Sequence, residues 1–101
     1  MNKNKLNREA ILRELRNHLS QFERLYGVTK IGVFGSAARD EIRQNSDIDV
    51  VVEMREPDLF FLVHIKETLE KGFQRPVDVI RYRNSMNRFL KARIDREARY
   101  A

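Results

Sequence analysis

The chain has no cysteine, so neither a disulfide nor a thiolate metal site can form; this suits a reducing compartment. It also lacks long hydrophobic runs, and no apolar stretch approaches the ~20 residues needed to span a bilayer. The opening Met-Asn-Lys-Asn-Lys-Leu-Asn-Arg has no apolar core of the kind a signal peptide requires. No linker, internal repeat or low-complexity tract interrupts the sequence. These absences lead to an expectation of one domain over residues 1–101, working in the cytoplasm without a membrane anchor. A domain of this size buries roughly two-thirds of its unfolded surface, enough for a single modest core.

What is present is charge and periodicity. The formal net charge of +5 suits polyanionic ligands such as nucleotides, RNA or an acidic partner surface, without choosing among them. Residues 8–26 carry Ile11, Leu12, Leu15, Leu19, Phe22, Leu25 and Tyr26 at three- and four-residue steps, which predicts an amphipathic helix. Asn7 is placed to cap its start and Gly27 to end it in a left-handed turn. Val28 to Phe34 reads as a first strand and Asp47 to Met54 as a second. The run Val50-Val51-Val52 suggests that the second strand is central and covered on both faces.

Further on, Pro57 and Asp58 signal a helix start, with Leu59, Leu62, Val63, Ile65, Lys66 and Leu69 on its face and Gly72 closing it. Val77 to Tyr82 reads as a third strand. Ser85 is placed to cap a last helix from Met86 to about Tyr100, with Met86, Phe89, Leu90 and Ile94 inward. A short helix over Ala37 to Arg43 completes an α-β-(α)-β-α-β-α order. Arg88, Lys91, Arg93, Arg96 and Arg99 give the last helix a basic face, read as a solvated surface or a docking surface. His18 and His64 lie within predicted helices with no partner at metal-ligand spacing, so they read as surface or core residues.

The chemistry concentrates between residues 35 and 49. Gly35-Ser36 follows an apolar strand, and small residues there let backbone N–H groups and a hydroxyl approach a polyphosphate closely. Asp47 and Asp49 open the next strand. Residues two apart on a strand share a face, roughly 7 Å apart along the chain. Two carboxylates so placed suit a hard divalent cation, and Mg2+ takes one or two carboxylates together with substrate phosphates. Asp78, in Val77-Asp78-Val79, is a carboxylate amid strand hydrophobics. It is either on a wet face or paired with a metal or a proton to be moved. Arg39 either reaches a phosphate or pairs with Asp40 or Glu41.

With that motif assembled, the chain resembles the minimal nucleotidyltransferases of the DNA polymerase β-like superfamily. Gly35-Ser36, the ten-residue spacer 37–46 and Asp47-Ile48-Asp49 match the family's pattern of Gly-Ser, ten residues, Asp-x-Asp. The leading helix, Arg39 and Asp78 extend the likeness over nearly the whole chain. One departure is Asp40, where many relatives carry glycine. The resemblance implies an α/β nucleotidyltransferase fold, with a small mixed sheet and helices packed mainly on one face. It implies ATP as substrate, Mg2+ as cofactor in a two-ion arrangement, and in-line attack on the α-phosphate with release of pyrophosphate. Asp47, Asp49 and Asp78 would be the catalytic, metal-binding carboxylates; Gly35, Ser36 and Arg39 would hold the triphosphate.

Single-domain proteins of this length resemble the antitoxin half of toxin–antitoxin pairs, in which the partner is a helical HEPN-type toxin and AMP goes to a tyrosine hydroxyl. The expected function is therefore an adenylyltransferase antitoxin in a hetero-oligomer with that toxin, nucleic acid not being the main partner. Two other readings stand beside it: an antitoxin that neutralises by binding without turnover, and a nucleotidyltransferase acting on RNA or a small molecule.

Overall fold

The computed structural model describes residues 6–101; the start of the segment read for a signal peptide lies outside them. The first helix, α1 (Arg8–Tyr26), follows its expected bounds. Asn7 caps it by accepting the Ala10 N–H at 2.8 Å, and Gly27 ends it at φ 71. Ile11, Leu15 and Phe22 are its buried stripe.

Two strands follow, β1 (Val28–Phe34) and β2 (Ile48–Met54), paired antiparallel, and then α2 (Leu59–Phe73) and β3 (Val77–Arg81). Strand β3 lies parallel to β2, and α2 supplies the crossover that parallel neighbours need. Last come α3 (Arg88–Glu97) and the two-residue β4 (Arg99–Tyr100), which pairs antiparallel with the other edge of β1. The sheet order is β3-β2-β1-β4, so the valine run of β2 is interior and all three valines are fully buried.

Side chains alternate across this sheet. Val50 and Val52 join Ile31 and Val33 in the larger cluster, which α1 and α2 cover with Ile11, Leu15, Ile65 and Leu69. Val51 points the other way and packs with Phe34 and Ile94. Two helices therefore share one face, and α3 covers part of the opposite one. Fully burying an Ile or Val contributes about 1.5–3 kcal/mol, so Ile94 is the main apolar anchor of α3. The Tyr82 hydroxyl donates to Asp95 at 2.6 Å and adds a polar anchor.

Several sequence expectations are corrected. Residues 37–43 form no helix: a turn over residues 35–40 replaces it. One helical turn closes when the Arg39 N–H donates to Gly35 C=O at 3.1 Å, and Asp40, at φ 60, then stops propagation. Helix α2 runs through Gly72 to a left-handed Gln74. A Cβ on Gly72 would stand 3.0 Å from Glu14 Oε2, the end of a side chain reaching over from α1. Leu59 and Val63, expected inward, are exposed; Ile65, Leu69 and Phe73 are the buried residues of α2.

Strand β3 ends at Arg81, although the Tyr82 N–H still donates to Val52 C=O at 2.8 Å. The last helix begins after Asn87, which caps it in place of Ser85, and ends at Glu97. Arg99 thus lies on a strand, and Phe89 is exposed. Among the described residues no helix is long and apolar enough to cross a membrane.

Candidate active site

The C-terminal end of β1 and the N-terminal ends of β2 and β3 meet at one edge of the molecule. Phe34 stands opposite Asp49 in the antiparallel pair, and Asp49 stands beside Asp78 in the parallel pair. Asp49 shares a face with Val51, the face that α3 covers. Strand β2 begins at Ile48, so Asp47, expected as its first residue, lies immediately before it. The topology therefore brings Asp47, Asp49 and Asp78 to the place where Gly35-Ser36 turns out of β1.

The electrostatics carry the mark of that gathering. The Asp49 carboxyl is held above the ordinary carboxylate range, first by its partial burial and then by the negative charge of Asp78, with a smaller push from Asp47. Arg93 opposes the rise, and Arg39 does so more weakly. Asp47 and Asp78 are exposed, whereas Asp49 is half-buried. Like charges converging on a half-buried acid raise its proton affinity, because ionising it is penalised both by burial and by its neighbours.

Gly35 is required here on two counts. Its φ of 69 lies in the left-handed region, and a Cβ would stand 2.5 Å from Asp49 Oδ2 and 3.1 Å from an Arg93 guanidinium nitrogen. Ala37 and Ala38 are buried in the main core and hold the turn down on the sheet. Arg8 secures its far side: its backbone N–H donates to Asp40 Oδ1 at 2.8 Å, and its guanidinium donates to Ala38 C=O at 3.0 Å.

Two residues that sequence reasoning did not assign to the site belong to it. Glu97, in the last turn of α3, accepts the Gly35 N–H at 3.1 Å and an Arg39 N–H at 3.1 Å through the same oxygen, Oε1. Arg93 Nε lies 3.4 Å from that oxygen. Arg39 also donates to Glu41 at 3.0 Å, so it pairs with Glu41 and Glu97, while Asp40 is engaged by Arg8. In the sequence, Arg93 and Glu97 look like an ordinary i,i+4 surface pair of a basic helix; only the packing of α3 reveals their target.

The donor set fits magnesium in kind. Among the described residues, no group of three or more His, Asp or Glu side chains is gathered tightly enough to enclose a metal ion. Mg2+ does not demand such a cage: it retains waters and takes one or two carboxylates plus phosphate oxygens. The mutual repulsion seen at Asp49 is what a cation between it and its neighbours would relieve. His18 stacks on Phe22 and His64 on Tyr26.

Comparison with known proteins points the same way. Protein adenylyltransferase MntA of Thermococcus cleftensis is 36% identical over 73 residues, covering 71% of this chain and 74% of that protein. A candidate protein adenylyltransferase of Methanocaldococcus jannaschii is 45% identical over 74 residues, 72% of this chain and 78% of the relative. Among solved structures, a candidate minimal nucleotidyltransferase superposes with a TM-score of 0.74 at 32% identity, covering 93% of this chain and 95% of the other. A toxin–antitoxin complex with AMP-PNP shares the fold, with a TM-score of 0.69 at 22% identity over 94% of this chain and 72% of the other. Residues 12–101 match the nucleotidyltransferase domain family, and the chain is a member of that enzyme family.

Proposed function

We propose that this chain, acting as a single catalytic domain, transfers AMP from ATP to a tyrosine hydroxyl of a HEPN-type toxin and so serves as its antitoxin. The observation that carries the reading is the convergence of Asp47, Asp49 and Asp78 beside the Gly35-Ser36 turn. Relatives named as protein adenylyltransferases support the acceptor class. A structure with a similar fold is described as a tri-AMPylated HEPN toxin of Shewanella oneidensis in complex with an MNT antitoxin, and this supports the choice of partner.

Each residue then has a task. The Gly35 N–H and the Ser36 hydroxyl bind oxygens of the triphosphate, and the missing side chain at position 35 makes room for the Asp49 carboxylate and Arg93 beside them. Arg39 neutralises phosphate charge from the far end of the same turn. Asp47, Asp49 and Asp78 would hold Mg2+, two ions in the proposed arrangement, whose charge would stabilise both attacking and leaving oxygens. Asp78 is exposed, and in this reading its carboxylate accepts the proton of the incoming tyrosine hydroxyl. That oxygen attacks the α-phosphorus in line, the bond to the β-phosphate bridging oxygen breaks, and pyrophosphate leaves.

The test is incubation of the purified protein with ATP labelled on the α-phosphate, Mg2+ and a HEPN-type toxin from the same organism. Label on the toxin supports the proposal. Toxin neutralised without label favours the binding-only antitoxin, and label confined to RNA favours the RNA-directed enzyme; either result overturns the proposal.

A further inference from the structure

The turn that should receive a triphosphate is already engaged by an anion, and that anion comes from the chain itself. One oxygen of Glu97 accepts the Gly35 N–H at 3.1 Å and an Arg39 N–H at 3.1 Å, and it forms an ion pair with Arg93, whose Nε lies 3.4 Å away. Arg96 lies 3.9 Å from the other oxygen. A backbone N–H and two guanidinium groups converging on one oxygen are the donors a phosphate oxygen would use. The Glu97 side chain is only 17% exposed, unlike that of Glu23 in the solvated pair with Arg55.

Arg93 is the pivot of this arrangement. Its guanidinium lies over the Phe34 ring, 5.6 Å from the centroid, and one nitrogen is 3.1 Å from where a Gly35 Cβ would be. It thus reaches Glu97 on one side and the Asp49 carboxylate region on the other, bridging the two halves of the site. No backbone–backbone hydrogen bond has to break for Glu97 to withdraw, because only its side chain enters the cradle. Helix α3 is held independently by Ile94 and by the Tyr82–Asp95 hydrogen bond.

Resting on the nucleotidyltransferase reading above, we propose that Glu97 occupies the seat of a nucleotide phosphate. ATP displaces its carboxylate, Arg93 becomes a phosphate ligand beside Arg39, and Glu97 sets how readily the site fills. The contacts that a phosphate oxygen takes from the Gly35 N–H, Arg39 and Arg93 replace ones that Glu97 already holds. The wild-type protein therefore binds triphosphate more weakly than its donors alone would allow.

The experiment is calorimetric titration of the full chain with ATP, and separately with inorganic tripolyphosphate, in the presence of Mg2+, together with Tm measured without ligand. Glu97→Gln keeps an acceptor for the Gly35 N–H but removes the competing charge. It should tighten both ligands about three- to tenfold while leaving the unliganded Tm unchanged or lower. Arg93→Ala should weaken both roughly tenfold. Glu97→Asp, which withdraws the carboxylate from the cradle yet keeps its charge, gives an independent case and should also tighten binding.

A purely structural Glu97 would lower Tm and ligand affinity together. That outcome, or variants that bind as the wild type does, overturns the assignment of Arg93 and Glu97 while leaving Mg2+-dependent ATP binding by the wild type, and the function built on it, intact. If neither the wild type nor Glu97→Gln binds ATP or tripolyphosphate, both the assignment and the nucleotidyltransferase reading fall.

Discussion

Asp49 and Asp78 stand side by side across the parallel β2–β3 pair, and the charge of Asp78 helps hold the Asp49 carboxyl above its ordinary range. Burial is the larger cause and Asp78 the second. Ionising Asp49 is therefore less favourable in the folded chain than in the unfolded one.

The first prediction follows from the sign of that shift. A carboxyl whose folded pKa exceeds its unfolded value binds its proton more tightly when folded. Its contribution favours the folded state below the unfolded pKa and is lost as pH rises through the folded one. Stability of the metal-free protein should therefore fall as pH climbs just above the usual carboxylate range, and Asp49→Asn should remove that component. At neutral pH without metal, the Asp49→Asn variant should melt higher than wild type. It should nonetheless lose roughly 10²-fold or more in transfer rate, because the metal's charge stabilisation is worth several kcal/mol. Thermal melts from pH 4 to 8 with and without Mg2+, alongside transfer assays, check both halves; a lower metal-free Tm in the variant would contradict the account.

Asp78→Asn should separate binding from chemistry. If Asp78 takes the acceptor proton, transfer should fall about 10²–10⁴-fold. Calorimetric affinity for ATP with Mg2+ should change far less, and an equal loss in both would make Asp78 a nucleotide ligand only.

Gly35→Ala should damage fold and site together. The left-handed backbone alone costs a residue with a Cβ about 1–3 kcal/mol, and the new methyl would press on Asp49. In a chain of this size each kcal/mol lowers Tm by roughly 4–8 °C. Scanning calorimetry should show a fall of this order, together with loss of ATP binding.

Much of the site was legible because its chemistry is local. Gly35-Ser36 and Asp47-Ile48-Asp49 are short patterns whose backbone roles can be read from small residues and strand alternation. That Asp78 joins them depends on β3 running parallel beside β2, which three strands in a small sheet suggested but no local feature specified. Glu97 and Arg93 were hidden because their i,i+4 spacing satisfies a simpler description.

The missed β4 has a similar origin. Arg99 and Tyr100 carry no helix breaker, and their strand exists because β1 offers an open edge at Gly32, where the Arg99 and Tyr100 backbone would collide with any side chain. A glycine inside an apolar strand was the one available signal of that close approach. The absent 37–43 helix turned on Asp40, whose left-handed conformation answers to its hydrogen bond with the start of α1 and not to helix propensity.

That double role of Asp40 makes a fourth prediction. Asp40→Gly relieves the backbone but loses the bond to the Arg8 N–H, and should be close to neutral. Asp40→Ala loses the bond without gaining glycine's freedom and should cost about 1–2 kcal/mol. Urea denaturation of the two variants distinguishes them; equal stability would mean that the positive φ is not what constrains this position.

AMP transfer to a partner protein through the carboxylate cluster would change the intact mass of that partner. After incubation with ATP, Mg2+ and the wild-type protein, the toxin should gain ~329 Da, or multiples of it, by adenylylation of tyrosine hydroxyls. Peptide mapping should place the addition on tyrosine, and Asp47→Asn should abolish it. A toxin that is fully neutralised at unchanged mass, or one modified equally by wild type and Asp47→Asn, would contradict the account.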